Sequence, residues 1–166
     1  MLRFRPNLFI FKRLTVREGN MSKKSCFFAV LAIIVGVILV FGLIQLVPYG
    51  RSHTNPPVVA EPAWDTPLTR TLAQRACFDC HSNQTTYPWY SNIAPVSWLT
   101  QSDVDRGRRR LNFSDWTGNN RGTGELAEAI SRGSMPPFYY VWLHPTASLT
   151  AVEKQQLIAG LTASLK

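Results

Sequence analysis

The sequence predicts a mainly α-helical protein, with a single N-terminal transmembrane helix followed by a small helical domain. Three observations carry this. From Cys26 to Ile44 every residue is apolar or glycine. Helix-start signals recur at Asp65-Thr66-Pro67 and at Thr150-Ala151-Val152-Glu153. No segment alternates apolar and polar residues convincingly with the period of two that a strand requires.

The chain has 166 residues and a formal charge of +8, with a pI near 9.9. Such a length suits one ordinary domain and an appendage and excludes a large multidomain enzyme. The charge lies mostly at one end. Residues 1–24 carry seven basic side chains against Glu18, residues 25–50 carry none of either sign, and residues 51–166 hold eleven basic and nine acidic ones. A nearly balanced body offers no basic groove, so nucleic acid is not an expected partner.

The uncharged run is expected to be the membrane anchor, over residues 26–47. A helix needs about 20 apolar residues to cross the hydrocarbon core. A cleaved signal peptide would have a shorter apolar core and a small-residue cleavage site; Gln45-Leu46-Val47-Pro48-Tyr49-Gly50 offers neither. Residues 1–25 then form a basic cytoplasmic tail, and the positive-inside bias sends residues 51–166 across the membrane. Met21-Ser22-Lys23-Lys24 would be a complete short N-terminus by itself, so Met21 is a candidate start alongside Met1. Cys26 opens the apolar run and is read as a lipid-facing or packing residue. Residues 48–63, rich in proline, are expected to be an extended tether with His53 exposed in it. The folded domain is expected over residues 64–166.

Within that domain, Asp65 or Thr66 caps a helix that has Pro67 in its first turn, with Leu68, Leu72 and Ala76 on one face. A second helix starts at Pro95 and runs toward Leu111, with Trp98 and Leu99 inward. Gly118 to Gly124 read as a polar loop. A short helix over Glu125 to Ser131 buries Leu126 and Ile130. The capping box at Thr150 opens a last helix, with Leu157, Ile158, Leu161 and Leu165 inward.

Chemistry enters at Cys77-Phe78-Asp79-Cys80-His81, a C-x-x-C-H sequence. Two thiols three positions apart on a helical turn each bond one vinyl group of the same haem, and the adjacent histidine comes under the iron; the pattern is that of c-type haem attachment. Cys77 and Cys80 are therefore expected to hold haem c covalently, with His81 as the proximal iron ligand. An exported position agrees with this. A zinc site needs further ligands at suitable spacing, and His53 and His144 are the only other histidines. A redox dithiol would want a strand-helix context and has no need of His81. A structural disulfide is the remaining alternative.

Gly133-Ser134-Met135-Pro136-Pro137 places a thioether in a proline-stiffened loop after a short helix, so Met135 is the expected distal ligand and His144 its competitor. Tyr87, Trp89, Tyr90, Trp98, Phe138, Tyr139, Tyr140 and Trp142 are candidates for an apolar sleeve. Arg106, Arg108, Arg109 and Arg110 read as a solvated helix face, or as a cluster that neutralises propionates or docks an acidic partner.

The motif Cys77-Phe78-Asp79-Cys80-His81-Ser82-Asn83-Gln84, the stretch from Tyr87 to Trp98, and Gly107 to Trp116 resemble the bacterial haem-binding domain proteins, as do Gly133-Ser134-Met135-Pro136-Pro137 and Leu143-His144-Pro145. These are small, often membrane-anchored, c-type-cytochrome-like proteins. The resemblance spans roughly Trp64 to the C-terminus. It implies haem binding and a single-pass setting in the bacterial inner membrane, the domain lying in the periplasm. By similarity Cys77 and Cys80 carry haem, His81 is proximal and Met135 distal.

The expected function is that of a membrane-anchored monohaem c-type cytochrome passing single electrons to membrane-associated redox proteins, and more an electron-transfer protein than an enzyme. A haem enzyme of peroxidase type, needing an open distal position, is the rival. A haem-based sensor or accessory subunit of an oxidase complex is a third reading.

Overall fold

A computed structural model describes residues 22–116 and 123–165. The basic stretch before Ser22, the candidate start at Met21 and residues 118–122 of the expected polar loop lie outside the described residues. The elements run α1 (Lys23–Ile44), α2 (Pro67–Ala76), α3 (Phe78–His81), a 3₁₀ turn at Trp89–Asn92, α4 (Val96–Arg110), α5 (Thr123–Ser131), α6 (Phe138–Leu143), a second 3₁₀ turn at Pro145–Ala147 and α7 (Ala151–Ser164). There is no strand among the described residues, only an isolated parallel bridge between Ala60 and Asp115. Two compact units divide between Val40 and Phe41.

The first unit contains most of α1. This helix has 22 residues and no buried side chain, and it is long and apolar enough to cross a membrane. At 1.5 Å per residue it is about 33 Å long, which matches a hydrocarbon core.

The second unit builds its core where α2, α5 and α7 meet the loop after α4. Thr66 caps α2 by accepting a hydrogen bond from the Thr69 amide at 3.2 Å, with Pro67 behind it. The capping box at the start of α7 is complete: the Glu153 amide donates to Thr150 Oγ1, and the Thr150 amide donates to Glu153. Leu72, Ala73, Ala76, Leu157 and Leu161 pack with Leu111, Phe113 and Ile130. Trp64, Phe78, Phe113 and Trp116 stack along this core with ring centroids 5.3–6.4 Å apart.

Several expectations shift. Leu68 is exposed, and Thr69 takes the inward position. The α2–α7 contact selects a small residue there, since a Cβ on Gly160 would stand 2.0 Å from Thr69 Oγ1. In α4 the buried residues are Ser97, Val104 and Gly107, while Leu99 is exposed and Trp98 half-buried. α4 is crossed closely by backbone on both sides, which excludes large side chains from its contact faces. Helix α5 begins at Thr123, which shortens the expected loop.

Residues 48–63 do not stand free. A Cβ on Gly50 would lie 2.2 Å from the Ser97 carbonyl oxygen. Asn55 donates to the Thr85 carbonyl, Asn83 to the Pro57 carbonyl, and the amides of Val59 and Ala60 to the Ser114 carbonyl. His53 is half-buried rather than exposed: it stacks on Tyr87 at 4.3 Å, and its Nε2 meets Ser91 Oγ at 3.1 Å. Within the segment the Arg51 amide donates to the Pro48 carbonyl at 3.3 Å, whereas the Pro57 carbonyl and the Val59 and Ala60 amides find their partners on the domain.

At the end of this segment Arg70 makes a bidentate pair with Glu61, 2.7 Å on each side, and Trp64 Nε1 donates to the same carboxylate. The Arg70 hydrogen bond holds the Glu61 carboxyl below its ordinary value of 4.5. A carboxylate favoured in the folded state adds stability above its unfolded value and loses it as pH falls through the lower folded value. Glu61→Gln is therefore expected to lower the melting midpoint at neutral pH, by about 1 kcal/mol in stability. The gap to wild type should close on acidification below about pH 4.5; a gap that widens there would refute the pairing.

Candidate functional site

One cleft of ≈ 340 Å³ gathers residues from α2 to α7. Its walls include Cys77, Cys80 and His81 from the C-x-x-C-H sequence and Met135 from the loop before α6. Separations of up to 58 positions along the chain are thus closed by the fold. The remaining walls are largely aliphatic, with Leu111, Leu126, Ile130, Leu149 and Leu157.

The local structure explains how each group is held. Helix α2 ends at Ala76, the chain kinks at Cys77 (φ −127°), and α3 restarts for a single turn. The amides of Cys80 and His81 both donate to the Cys77 carbonyl, at 3.2 and 2.9 Å. Ser82 Oγ donates back to the Phe78 carbonyl at 2.8 Å and closes the turn. Against this turn α4 approaches at Gly107, where a Cβ would lie 2.1 Å from the Cys80 carbonyl oxygen.

His81 Nδ1 lies 3.1 Å from the Leu111 carbonyl oxygen, just beyond the end of α4. Metal-binding histidines characteristically fix one ring nitrogen in this way and present the other, which leaves Nε2 as the nitrogen that could take a metal. Burial holds His81 below the ordinary imidazole value, while the Leu111 carbonyl pulls the other way. A neutral imidazole is the form that binds metal.

Burial pushes both thiols up to about 12, helped at Cys77 by Cys80 and at Cys80 by Asp103 and Asp79. Reactive dithiols have depressed values; this pair is shifted the other way. Nor do the described residues contain any group of three or more His, Cys, Asp or Glu side chains placed to hold a metal ion. The geometry of C-x-x-C-H here is that of a wall rather than a cage.

Met135 is placed by the end of α5. Gly133 adopts φ +71°, the left-handed conformation that closes a helix at little cost for glycine. The amides of Ser134 and Met135 then both donate to the Ala129 carbonyl, at 3.0 and 3.2 Å. Met135 remains 40% exposed.

His144 is placed differently. It lines a smaller cavity of ≈ 70 Å³ that adjoins the main cleft and shares Asp79, Cys80, Asp103, Tyr139 and Tyr140 with it, but His144 itself is not on the cleft's walls. Nδ1 meets the Tyr140 carbonyl oxygen and Nε2 the Tyr90 hydroxyl, each at 3.0 Å, with the ring stacked on Tyr140 at 4.2 Å. Both nitrogens are engaged.

The expected aromatic sleeve is mostly elsewhere. Only Tyr139 and Tyr140 line the cleft, whereas Trp89, Phe138 and Trp142 are exposed. Tyr140 donates to Asp79 at 2.5 Å and Tyr139 to Asp103 at 3.0 Å. These bonds tie α6 to α3 and α4. Burial, and then Asp79, raise the Tyr140 phenol well above its ordinary value.

The arginine cluster divides. Arg106 and Arg110 stand on the cleft, with Arg110 paired to Glu125. Arg108 donates to the Ser82 and Thr54 carbonyls, to Asn55 and to Thr85, so it fastens residues 54–55 to the domain. Gly107 and the Leu111 carbonyl did not emerge from the sequence as site elements. A lone glycine inside a helical pattern was the available signal for the first; a carbonyl carries none.

An apolar cleft with two thiols, an imidazole fixed through one nitrogen, a thioether and rim arginines fits haem in size and donor chemistry. The sequence model of a family described as "Haem-binding domain" matches residues 39–163. That match reaches back into α1 and includes the segment bonded along the domain. No curated protein and no solved structure matches the chain.

Proposed function

The chain belongs to the haem-binding domain family, and on that premise we propose that it is a membrane-anchored monohaem c-type cytochrome that transfers single electrons in the periplasm of a bacterium. Cys77 and Cys80 hold haem c through thioethers, His81 is the proximal ligand and Met135 the distal one. The observation that carries this reading is the presence of all four side chains on the walls of one apolar cleft.

Haem supplies an iron that gains and loses one electron. The protein's part is to keep that iron's surroundings the same in both oxidation states. Leu111 orients the His81 ring, the capped end of α5 holds Met135, and Leu126, Ile130, Leu149 and Leu157 give the cleft an apolar lining. With His81 and Met135 together holding haem, electron exchange would need little rearrangement of these residues. A peroxidase would want a displaceable distal position and a nearby acid-base group, and His144, the candidate for that role, has both nitrogens bonded, to the Tyr90 hydroxyl and the Tyr140 carbonyl.

Met135→Ala tests the assignment. Expected are unchanged covalent haem, loss of the sulfur-to-iron charge-transfer band of the oxidised protein, and a lower reduction potential, because Met ligation raises it. An unchanged spectrum removes Met135 as ligand. High-spin iron with rapid peroxide turnover in the wild-type protein would overturn the electron-transfer reading.

A further inference from the structure

Two stretches of the domain carry no Asp, Glu, Lys or Arg: Ser82 to Ser102, and Gly133 to Val152. Between them they supply the 3₁₀ turn at Trp89–Asn92, the first half of α4, and α6. Their apolar side chains are not all turned inward. Trp89 is 77% exposed and Trp142 83%, with Ile93, Val96, Leu99 and Leu143 exposed as well. Val96, Leu99 and Leu143 line the same small cavity, so the two stretches meet in one surface. Soluble surfaces rarely leave contiguous aromatic and aliphatic groups uncovered without a use for them.

The position of this surface identifies what covers it. Gln45 is the first polar residue after the apolar run of α1. Its side-chain amide pairs with one peptide of the domain: Nε2 donates to the Ala94 carbonyl at 2.9 Å, and Oε1 accepts from the Ala94 amide at 3.0 Å. Arg51 donates to the same Oε1 at 2.7 Å. The residue where the hydrocarbon layer must end is thereby bonded to the residue between Ile93 and Pro95.

We propose that the end of the domain carrying Trp89, Ile93, Val96 and Trp142 is seated in the interfacial layer of the bilayer, held at that depth by the Gln45–Ala94 pairing. The proposal rests on α1 being a membrane anchor. Tryptophan and tyrosine favour this layer, where an apolar ring and a polar edge are both accommodated. Uncharged stretches enter it without the cost of desolvating ions. A second protein could cover the same groups, but nothing would then place them beside the exit of the anchor.

The full-length, haem-loaded protein in nanodiscs of phosphatidylcholine and phosphatidylglycerol supplies the test. In a Cys26→Ser background, single nitroxide labels are introduced through Ile93→Cys and Trp142→Cys, with Ser131→Cys on α5 as an aqueous reference and Val37→Cys in α1 as a lipid one. Electron paramagnetic resonance then compares collisions with oxygen, which concentrates in lipid, and with a water-soluble nickel complex. Labels at 93 and 142 are expected to favour oxygen as the label at 37 does, and the label at 131 to show the reverse. Water-like readings at 93 and 142 with a lipid reading at 37 would overturn the docking and leave the anchor standing. Labels at 93 and 142 shielded from both reagents would show a protein interface and overturn it too. A water-like reading at 37 would remove the anchor, and the proposal with it.

Discussion

Cys77→Ala combined with Cys80→Ala is expected to yield protein without any covalently held haem and with a domain that no longer folds stably. The first half follows from chemistry: without the thiols no thioether forms. The second follows from the size of the cleft. At roughly 24 cal/mol per Å³ an unfilled apolar cavity of ≈ 340 Å³ costs at most about 8 kcal/mol. That is comparable with the whole stability of a domain of this size. Haem staining after denaturing electrophoresis reads the first effect, and circular dichroism with limited proteolysis reads the second. A soluble, cooperatively melting, haem-free double variant would show that the cofactor is not structural here.

Gly107→Ala is expected to destabilise the domain by about 3 kcal/mol and to lower its haem content. Helix propensity alone predicts the opposite sign, a gain of about 1 kcal/mol. The contact decides between them. The new Cβ would meet the Cys80 carbonyl oxygen at 2.1 Å and its carbonyl carbon at 2.8 Å, both backbone atoms that cannot rotate away. α4 must then retreat from α3, which separates His81 from the Leu111 carbonyl that orients it. Melting curves and the haem-to-protein ratio give the answer. A more stable variant with full haem would mean that the crossing of α3 and α4 has slack.

How far the sequence foretold all this depended on whether the relevant signal was local. The caps at Thr66 and Thr150 and the thiols of Cys77 and Cys80 belong to short patterns with their own chemistry, and the structure contains both caps as read. Met135 was legible because a glycine and two prolines mark its loop. The register of burial was less so: Leu68 and Leu99 obey helical spacing yet face solvent, because Thr69 and Ser97 pack against chain that arrives from elsewhere. The aromatic residues misled for a related reason. Aromaticity does not say which way a ring points, and of the expected rings the cleft takes Tyr139 and Tyr140, while leucines and an isoleucine from four different segments line it beside them. Residues 48–63 read as a spacer because a proline-rich stretch shows no helical or strand period; the carbonyls of Thr85 and Ser114 that receive it lie 30 to 55 positions away.

If the chain exchanges electrons, as proposed, that bonded segment changes how it would search for a partner. A free coil of sixteen residues would wander over about 20–24 Å and let the domain reach for partners above the membrane. With Gln45, Asn55, Val59 and Ala60 fastened to the domain, this slack is gone. On the electron-transfer reading proposed above, the cofactor is not cast outward on a loose coil, and encounters with a donor would be collisions between bodies drifting in a plane, governed by lateral diffusion and by crowding in the sheet they share.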